Sequence, residues 1–514
     1  MADAFLEFDD VCFYYESSRA PVFDALTLRL YPGWTGIVGA NGSGKTTLLR
    51  LAAGELAPQR GSVRPHGSVA YCPQRTDEVP ADLEPFVEAA DREACRLRGV
   101  LGIGSDWFGR WATLSHGERK RAQIGVALWR APVVFALDEP TNHIDRDARL
   151  LLAQALSSFA GVGLLVSHDR ELLDALCGQC LMIDPPEVTL RPGGYTKARQ
   201  LAAAEEARAR EEYRTAAREL KRLRKTAAER ARDAARADRL RSKRGIAPKD
   251  HDAKSRMDLA RYSGKDGQAG RLLRQMDGRL EQAEGKLKGI RVKKETHLGI
   301  VLPGEKAKRD VLAAVPAGTL PLGGGRELAF PELVIGPQDR IALVGPNGAG
   351  KTTFVREVMS RLKIPPESVV YLAQEIPRET ARRVVREVRE LPRKQLGKVI
   401  SYFASLGSSA GRVLETDEPS PGELRKIMLA LGVCRNPQLV VMDEPTNHLD
   451  LPSIECLETA LAECPSALLL VSHDLRFLGR LAQTRWAIQR DDDSTGCSRM
   501  RLVVGRMSQE PPPE

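Results

Sequence analysis

Two glycine-rich segments of the chain could bind the phosphates of a nucleotide. GANGSGKTT at 39–47 and GPNGAGKTT at 345–353 each follow a short apolar run and fit the pattern of a phosphate-binding loop. Such a loop turns backbone N–H groups toward phosphate oxygens, and the helix that follows points its positive end at the same oxygens. The lysines would neutralise phosphate charge, and the threonines after them would place hydroxyls on Mg²⁺. The residues predicted to contact the nucleotide are Gly39, Asn41, Gly42, Ser43, Gly44, Lys45, Thr46 and Thr47 in the first loop and Gly345, Asn347, Gly348, Ala349, Gly350, Lys351, Thr352 and Thr353 in the second.

Acidic residues follow two further apolar runs. Asp138 and Asp443 would end buried strands, where a carboxylate can help to hold Mg²⁺, often through water. Glu139 and Glu444 come next, and a carboxylate there can orient or deprotonate an attacking water molecule. Two SHD sequences follow another pair of apolar runs, and their histidines could contact the γ-phosphate or position that water. The predicted catalytic residues are Glu139, Glu444, His168 and His473, and the predicted metal ligands include Thr46, Thr352, Asp138 and Asp443.

These motifs occur twice at an almost constant distance along the chain. The two phosphate-loop lysines are 306 residues apart, and the glutamates and histidines of the later motifs are each 305 apart. A constant offset across three motifs indicates a duplicated domain. Apolar runs at 133–137, 164–166, 439–442 and 468–471 are typical of parallel strands buried on both faces. Their alternation with helices predicts an α/β fold with a mostly parallel sheet in each copy.

The segment between the two copies has the composition of long helices. Residues 197–242 contain neither Pro nor Gly, which predicts a helix of roughly 65–70 Å at about 1.5 Å per residue. Residues 244–267, punctuated by Gly and Pro, are predicted to form a loop, and a second helix is predicted to reach about Lys294. Apolar residues spaced alternately three and four apart would form a coiled-coil seam between the helices. They are Tyr213, Ala216, Leu220, Leu223, Ala227 and Ala234 in the first helix and Leu273, Met276, Leu280, Ala283, Leu287 and Ile290 in the second.

Positive charge is concentrated in this middle segment. Residues 197–300 hold 30 Lys and Arg against 16 Asp and Glu, a net charge of +14, whereas the rest of the chain carries −5. A basic segment between two mildly acidic domains indicates a polyanionic partner. We expect an antiparallel helical hairpin with a basic tip; the alternative is a solvated charged helix that packs against no second helix.

The paired motifs resemble those of the ATP-binding-cassette superfamily, and DEPTNHID and DEPTNHLD resemble the ABC-F family in particular. Members of that family lack membrane domains and act on ribosomes. The resemblance covers nearly the whole chain and implies an ATPase that uses ATP and Mg²⁺, with two P-loop ATP-binding-cassette domains joined by an α-helical antiparallel hairpin linker. The implied domains are cassette 1 at 1–196, the basic linker at 197–300 with its tip loop at about 244–267, and cassette 2 at 301–514.

The resemblance also assigns further residues to each ATP site, which in this family lies between the phosphate loop of one cassette and the signature motif of the other. Gln74 and Gln374 match the family's lid glutamine, which also reaches Mg²⁺. Tyr15 matches the aromatic residue that stacks on adenine, whereas the position 305 residues later is Leu320. The signature motifs correspond to Ser115, Gly117 and Glu118 in LSHGER and, with two prolines that depart from the family pattern, to Ser420, Gly422 and Glu423 in PSPGEL. These differences imply two ATP sites that are not equivalent.

In this family the linker enters the ribosomal exit site and contacts the P-site tRNA, and the resemblance implies the same partner for this chain. Lys and Arg along a helix suit phosphate contacts, and Tyr262 could stack on a base or pack against the hairpin. The long tip, together with the lack of an inserted arm in cassette 1, implies a ribosome-protection factor against antibiotics of the peptidyl-transferase centre. Candidate RNA-binding residues are Lys221, Arg222, Arg224 and Lys225 on the first helix and Lys249, Lys254, Arg256, Arg261 and Lys265 in the tip loop.

Other properties of the chain narrow the functional classes. No apolar run approaches the ~18 residues that cross a bilayer, and the acidic N-terminus is unlike a secretory signal. We therefore expect a cytoplasmic monomer whose two cassettes pair with each other. Cys177 and Cys180 form a CxxC without the second pair that a zinc site needs. The alternatives are a housekeeping ABC-F factor that relieves stalled ribosomes and an ATPase subunit of a transporter or of a DNA-repair complex.

Overall fold

Parallel strands flanked by helices form the centre of each cassette. The computed structural model describes residues 4–16, 20–142, 144–241, 266–290, 292, 309–407, 419–491 and 499–507; for 233–241 and 266–274 it describes the helical backbone alone. Contacts between Cα atoms separate two units: residues 1–198 together with 296–514, which contain both cassettes, and residues 199–295, which form the linker.

Cassette 1 contains two sheets. Its elements are β1 (Leu6–Phe13), β2 (Phe23–Leu30), β3 (Gly33–Gly39), α1 (Lys45–Ala52), β4 (Arg60–Pro65), β5 (Val69–Cys72), α2 (Leu83–Glu88), α3 (Arg92–Leu101), α4 (His116–Trp129), β6 (Val134–Asp138), α5 (Arg146–Ser157), β7 (Val162–Val166), α6 (Arg170–Leu176), β8 (Cys177–Asp184) and β9 (Glu187–Pro192). The larger sheet has the order β5-β6-β7-β3-β8-β9 and is parallel except between β8 and β9. The smaller sheet is antiparallel, in the order β2-β1-β4.

Cassette 2 repeats this plan with a wider sheet. Its elements are β10 (Ala313–Val315), β11 (Gly318–Gly323), β12 (Arg326–Phe330), β13 (Leu333–Ile335), β14 (Arg340–Val344), α9 (Lys351–Ser360), β15 (Val369–Leu372), α10 (Arg378–Glu390), α11 (Arg393–Ser405), α12 (Pro421–Val433), β16 (Leu439–Asp443), α13 (Leu451–Ala462), β17 (Ala467–Val471), α14 (Leu475–Leu481), β18 (Thr484–Asp491) and β19 (Arg499–Arg506). The strand order is β11-β12-β19-β18-β14-β17-β16-β15, and the run from β18 to β15 is parallel.

The four apolar runs predicted as buried strands are the central strands β6, β7, β16 and β17. Every residue in all four is buried, which explains why their sequences are continuously apolar rather than alternating. Burial of a side chain such as Phe135 or Leu165 contributes about 1.5–3 kcal/mol relative to exposure. Because neighbouring strands are parallel, their carboxyl ends meet at one edge of the sheet, and the predicted catalytic carboxylates and histidines lie along that edge.

The linker contains two long helices, α7 (Tyr195–Arg241) and α8 (Asp266–Gly289). Ala216, Leu220 and Met276, all predicted in the seam, are buried, and Arg224 Nη2 lies 2.8 Å from Glu284 Oε1 across the two helices. These contacts support the two-helix hairpin over a helix without a partner helix. Tyr213 was expected in the seam but is 41% exposed.

The second linker helix is shorter than its sequence suggested. It ends at Gly289, whereas the prediction extended it to about Lys294. Glycine is a weak helix former and is common just past helix ends, so Gly289 accounts for the earlier stop. The predicted tip loop falls almost entirely on residues 242–265, which lie outside the described residues.

Candidate nucleotide-binding sites

Both phosphate-binding loops have the same curled conformation. Lys45 Nζ donates to the carbonyl oxygens of Gly39 and Ala40 at 2.9 and 3.0 Å. Lys351 Nζ donates to the corresponding oxygens of Gly345 and Pro346 at 2.8 and 3.1 Å. Burial lowers the pKa of both lysines, although neighbouring carboxylates oppose that shift. Each loop therefore folds around its ammonium group, which could neutralise the charge of a bound phosphate.

A glycine before each of these lysines is required by the backbone. Gly44 has φ 101° and Gly350 has φ 93°, in the left-handed region. A Cβ at Gly44 would lie 2.5 Å from a methyl carbon of Val22, and one at Gly350 would lie 2.4 Å from a methyl carbon of Leu322. The loops can thus turn sharply into α1 and α9, which begin at the two lysines.

A threonine and an aspartate meet in each site. Thr46 Oγ1 donates to Asp138 Oδ2 at 2.8 Å, and Thr352 Oγ1 donates to Asp443 Oδ2 at 2.7 Å. Burial raises the pKa of both carboxyl groups. A hydroxyl beside a buried carboxylate is an oxygen donor set that suits Mg²⁺, so these residues could hold the metal ion.

The first site pairs its glutamate with its histidine. His168 Nε2 lies 3.0 Å from Glu139 Oε1, and the backbone N–H of His168 donates to Glu139 Oε2 at 3.2 Å. Burial alone would raise the pKa of Glu139, but His168 and Lys45 outweigh it and bring the pKa below its usual value. Glu139 is therefore a carboxylate at neutral pH.

The second site directs its histidine elsewhere. His473 Nε2 lies 3.1 Å from Asn347 Oδ1 and 3.2 Å from Lys351 Nζ, but 3.5 Å from Glu444 Oε1. Burial, with Lys351 and Arg149 nearby, lowers the pKa of His473 to about 3. Burial also raises the pKa of Glu444 to about 7, against the opposing effect of Lys351. The two sites thus have the same residue types in different protonation environments.

The two glutamates share an unusual backbone conformation. Glu139 has φ 46° and Glu444 has φ 51°, which is uncommon for a residue with a side chain. Their backbone N–H groups donate to the carbonyl oxygens of Val166 and Val471 at 2.9 and 2.8 Å, so the neighbouring strand holds this turn in place. Such strain is typical of residues positioned for function.

Residues at the end of each DEPTNH[IL]D motif reach the opposite cassette, which the sequence analysis did not assign. Asn41 N–H donates to Asp450 Oδ2 at 2.6 Å, and Asn41 Nδ2 donates to the carbonyl oxygen of His448 at 3.2 Å. In the other site, the N–H of Asn347 lies 3.5 Å from Asp145 Oδ2. Both aspartates cap helices, α5 and α13, and the signal that could have identified them is their matching place at the end of the repeated motif.

The two signature motifs begin helices α4 and α12. Ser115 and Ser420 each accept a hydrogen bond from the N–H of a glutamate three residues later, and that glutamate accepts one from the serine N–H. Glu118 and Glu423 therefore cap these helices. Pro421 occupies the first position of α12, where proline is favoured, so the altered second signature still begins a regular helix.

A cavity of about 400 Å³ surrounds the second phosphate loop. This volume lies in the range of small-molecule sites. Its wall includes Gln374 and also Ile144 and Arg149 of cassette 1. Gln74, the counterpart of Gln374, is exposed. The lining residues are Ile144, Arg149, Leu322, Arg326, Asn347, Gly348, Gly350, Lys351, Thr352, Thr353, Gln374, Glu444, Asn447 and His473.

Tyr15 lies beside the first phosphate loop. Its hydroxyl is 2.9 Å from Thr47 Oγ1, and its ring packs edge-on against Phe13 at 5.0 Å. The comparison of Tyr15 with Leu320 was wrong in register, because the 305 offset fails ahead of the phosphate loops. Cassette 2 joins β11 to β12 through only two glycines, where cassette 1 has the nine residues 14–22, and the side chains that reach its cavity there are Leu322 and Arg326.

The candidate RNA-binding residues are only partly described. Lys221, Arg222 and Lys225 are exposed on α7, while Arg224, also exposed, is engaged with Glu284. The tip residues Lys249, Lys254, Arg256, Arg261 and Lys265 lie outside the described residues, as does Tyr262.

Cys177 and Cys180 are buried free thiols whose pKa values are raised by burial. Within the described ranges, no cluster of three or more His, Cys, Asp or Glu residues is suited to a metal ion.

Comparison with known proteins agrees with this geometry. The family model described as ABC transporter matches residues 23–142 and 331–447. The chain is 31% identical to the tylosin resistance ATP-binding protein TlrC of Streptomyces fradiae over 525 aligned positions, which cover 89% of this chain and 93% of that protein. The chain is a member of the ABC-F family. The duplicated sites are thus those of an ATPase.

Two further similarities extend over nearly the whole of this ABC-F ATPase. It is 27% identical to the ribosome protection protein VmlR of Bacillus subtilis, with 92% of this chain and 85% of that one covered. The solved structure of an RNase-L inhibitor superposes with a TM-score of 0.60 at 18% identity, covering 96% of this chain and 90% of that one, which shows a shared fold. Among the described helices of the ABC-F ATPase, none is long and apolar enough to span a bilayer.

Proposed function

We propose that this ABC-F ATPase binds the ribosomal exit site in its ATP-bound form, contacts the P-site tRNA and protects the ribosome against antibiotics of the peptidyl-transferase centre. The observation that carries the proposal is similarity over about nine-tenths of the chain to two proteins named for tylosin resistance and ribosome protection. Both alignments are long enough to span the cassettes and the linker. Such a protein would act in the cytoplasm, where ribosomes are.

ATP acts here by joining the two cassettes of one monomer. Asn41 and Asn347 of the phosphate loops lie against Asp450 and Asp145 of the opposite cassette, so nucleotide bound at either loop would be enclosed by both. Bound Mg²⁺, held by Thr46 and Asp138 or by their counterparts in the second site, would neutralise charge that develops on the phosphates. ATP binding then favours the paired state, and hydrolysis releases it, which is a shift of population rather than chemistry on a second substrate.

Two basic surfaces are suited to RNA. One is the exposed face of α7 that carries Lys221, Arg222 and Lys225. The other lies on α10 and α11 of cassette 2, where residues 378–398 hold eight Lys and Arg against three Glu. Val384, Val385 and Val388 bury one side of α10, and all eight basic side chains are exposed. Such surfaces make phosphate contacts that fix position without reading sequence.

The decisive experiment combines Glu139→Gln with Glu444→Gln. The double variant should bind ATP but hydrolyse it at least about a hundredfold more slowly, because each site loses its base. It should then co-sediment with ribosomes in ATP and dissociate when ATP is removed. A matched variant with Lys45→Ala and Lys351→Ala should bind neither ATP nor ribosomes. If the glutamine variant stays off ribosomes while holding ATP, the ribosome is not the partner.

The drug susceptibility of a host cell distinguishes antibiotic protection from a housekeeping role in relieving stalled ribosomes. A host that expresses the wild-type protein should tolerate tylosin and other peptidyl-transferase-centre antibiotics at higher concentrations than a host with the Glu139→Gln, Glu444→Gln variant. Susceptibility to a drug that acts elsewhere on the ribosome serves as the control. Ribosome binding without any change in susceptibility would instead assign the protein to the relief of stalled ribosomes.

A further inference from the structure

One arginine of cassette 1 lies in the wall of the ATP site of cassette 2. Arg149, on α5, lines the cavity that contains Lys351, Glu444 and His473. Ile144, also of cassette 1, lines the same wall. The second ATP site is therefore built from side chains of both cassettes even before the signature motif is considered.

The guanidinium of Arg149 is held in place by its surroundings. Its Nε donates to the carbonyl oxygen of Ile144 at 3.2 Å, and its Nη1 lies 3.4 Å from Asp169 Oδ2. The same Nη1 donates to the carbonyl oxygen of His473 at 3.5 Å, and the side chain is 21% exposed. A charge fixed in this way needs little reorganisation during a reaction, which is the condition for effective electrostatic stabilisation.

This charge acts on the two groups that would handle the attacking water. Arg149 interacts electrostatically with both Glu444 and His473, and all three side chains line the same cavity. The charged and titratable groups around Glu444 are Lys351 on α9, Asp443 at the end of β16, His473 after β17, Arg425 on α12 and Arg149 on α5. Of these, Arg149 alone comes from the opposite cassette.

At the position that corresponds to Arg149, the first ATP site has an isoleucine. The residue 305 positions after Arg149 is Ile454, which lies on α13 at the matching place after Asp450. Ile454 is 1% exposed and belongs to the apolar core of cassette 2. The difference between the two sites is therefore present in the amino-acid sequence.

We propose that Arg149 is a positioning residue that cassette 1 supplies to ATP hydrolysis in the second site only. In that reaction the water oxygen bonds to the γ-phosphorus, the bond from this phosphorus to the bridging oxygen of ADP breaks, and the water proton passes to Glu444. Arg149 holds the backbone carbonyl of His473 from across the interface and adds a fixed positive charge to the wall of the second site. Because Arg149 belongs to the other cassette, hydrolysis at Lys351 depends on cassette pairing. This inference rests on the proposed role of Glu444.

The test isolates one site at a time. Glu139→Gln leaves the second site as the only active one, and in that background Arg149→Ile, which copies Ile454, should lower kcat about tenfold with KM for ATP within about twofold. Arg149→Lys, which keeps the charge, should recover most of the loss. Arg146→Ile removes an exposed arginine from the same helix and is the matched control; it should change kcat less than twofold. Melting temperatures would show that each variant is folded.

Comparison of the two sites distinguishes a positioning role of Arg149 from a role in packing alone. Loss of the contact at His473 should slow the second site, whereas a general packing defect would slow both sites, and Arg149→Lys should restore the second site. The loss in the Glu139→Gln background should also exceed by at least about fivefold the loss in the Glu444→Gln background. Equal losses in both backgrounds, or a loss that Arg149→Lys does not recover, would overturn the proposal. Hydrolysis that persists when Glu139→Gln and Glu444→Gln are combined would instead refute the role of Glu444.

Discussion

The two ATP sites of this protein carry the same motif letters in different surroundings. In the first site the histidine is 3.0 Å from its glutamate, and in the second the histidine turns to Asn347 and Lys351. The pKa of Glu139 is below its usual value, whereas that of Glu444 is raised to about 7. The comparison teaches that a repeated motif fixes which groups are present, and that the neighbouring cassette helps to fix their protonation.

The interface between the cassettes is also asymmetric, because two arginines of cassette 1 correspond to apolar residues of cassette 2. Cassette 1 supplies Arg149 and Arg170, whose counterparts at the 305 offset are Ile454 and Leu475. Arg170 Nη2 lies 2.6 Å from Glu458 Oε1 and 3.0 Å from Asp474 Oδ2 of cassette 2. At these two positions cassette 1 provides a cation that cassette 2 lacks, while Arg476 of cassette 2 pairs with Asp174 of cassette 1 at 2.8 Å.

The largest effect is expected from Arg170→Leu, which copies the second cassette. It should reduce the free energy of unfolding by about 2 kcal/mol, because Glu458, only 3% exposed, loses one of its two arginine partners and keeps Arg480. The urea midpoint would measure the loss. Arg96→Leu, which breaks the exposed ion pair to Glu93, is the control and should cost less than about 1 kcal/mol. Similar losses for both variants would show that the interface contact adds nothing specific.

The pH dependence of hydrolysis should differ between the sites. With Glu139→Gln, only the second site turns over, and its kcat/KM should fall about tenfold between pH 8 and pH 6, because Glu444 must be ionised to accept a proton and its pKa is about 7. With Glu444→Gln, the first site should lose much less over that interval, because the pKa of Glu139 is lowered. Parallel pH profiles for the two single-site variants would contradict the difference seen between the sites.

Much of this arrangement could be predicted from the sequence, because its signals are local. Lys45, Thr46, Asp138 and their repeats are fixed by a strand, a turn and a helix start that adjoin them in the chain. The buried strands also followed from continuous apolar runs. Which groups Glu139 and Glu444 meet could not be predicted in this way, because His473, Asn347 and Arg149 come together only through tertiary packing.

Sequence offsets also fail where loops differ in length. The constant spacing of 305 holds from the DEPTNH motifs to the histidines but not ahead of the phosphate loops, because two glycines replace a nine-residue connection there.

The total charge of the cassettes also concealed a basic surface on cassette 2. The net charge of all residues outside 197–300 is −5, yet residues 378–398 carry a net charge of +5 on one exposed surface. Residues 83–101 of cassette 1 carry a net charge of −1.

That difference between the cassettes predicts where RNA binds. Replacing Arg382, Arg383 and Arg386 with Gln should weaken ribosome binding by about five- to tenfold at moderate salt and reduce the salt dependence of binding, because phosphate contacts are lost. Replacing the exposed Arg64, Arg75 and Arg92 of cassette 1 with Gln removes the same charge and should have less than a twofold effect. Binding that falls equally for both sets would indicate general attraction to RNA rather than a defined surface.

The smallest effect concerns the base of the nucleotide. Tyr15, 38% exposed and anchored through Thr47, can stack on adenine in the first site, whereas Leu322 and Arg326 line the second. Tyr15→Ala should weaken ATP binding to the first site about fivefold, the lower end for loss of a stacking ring. Tyr15→Phe keeps the ring and should bind nearly as tightly, which separates stacking from the hydroxyl contact. With the first site disabled by Lys45→Ala, the remaining site should discriminate ATP from GTP less than the first site does, because a leucine and an arginine offer no aromatic face. Equal discrimination by the two sites would show that Tyr15 does not set the preference for adenine.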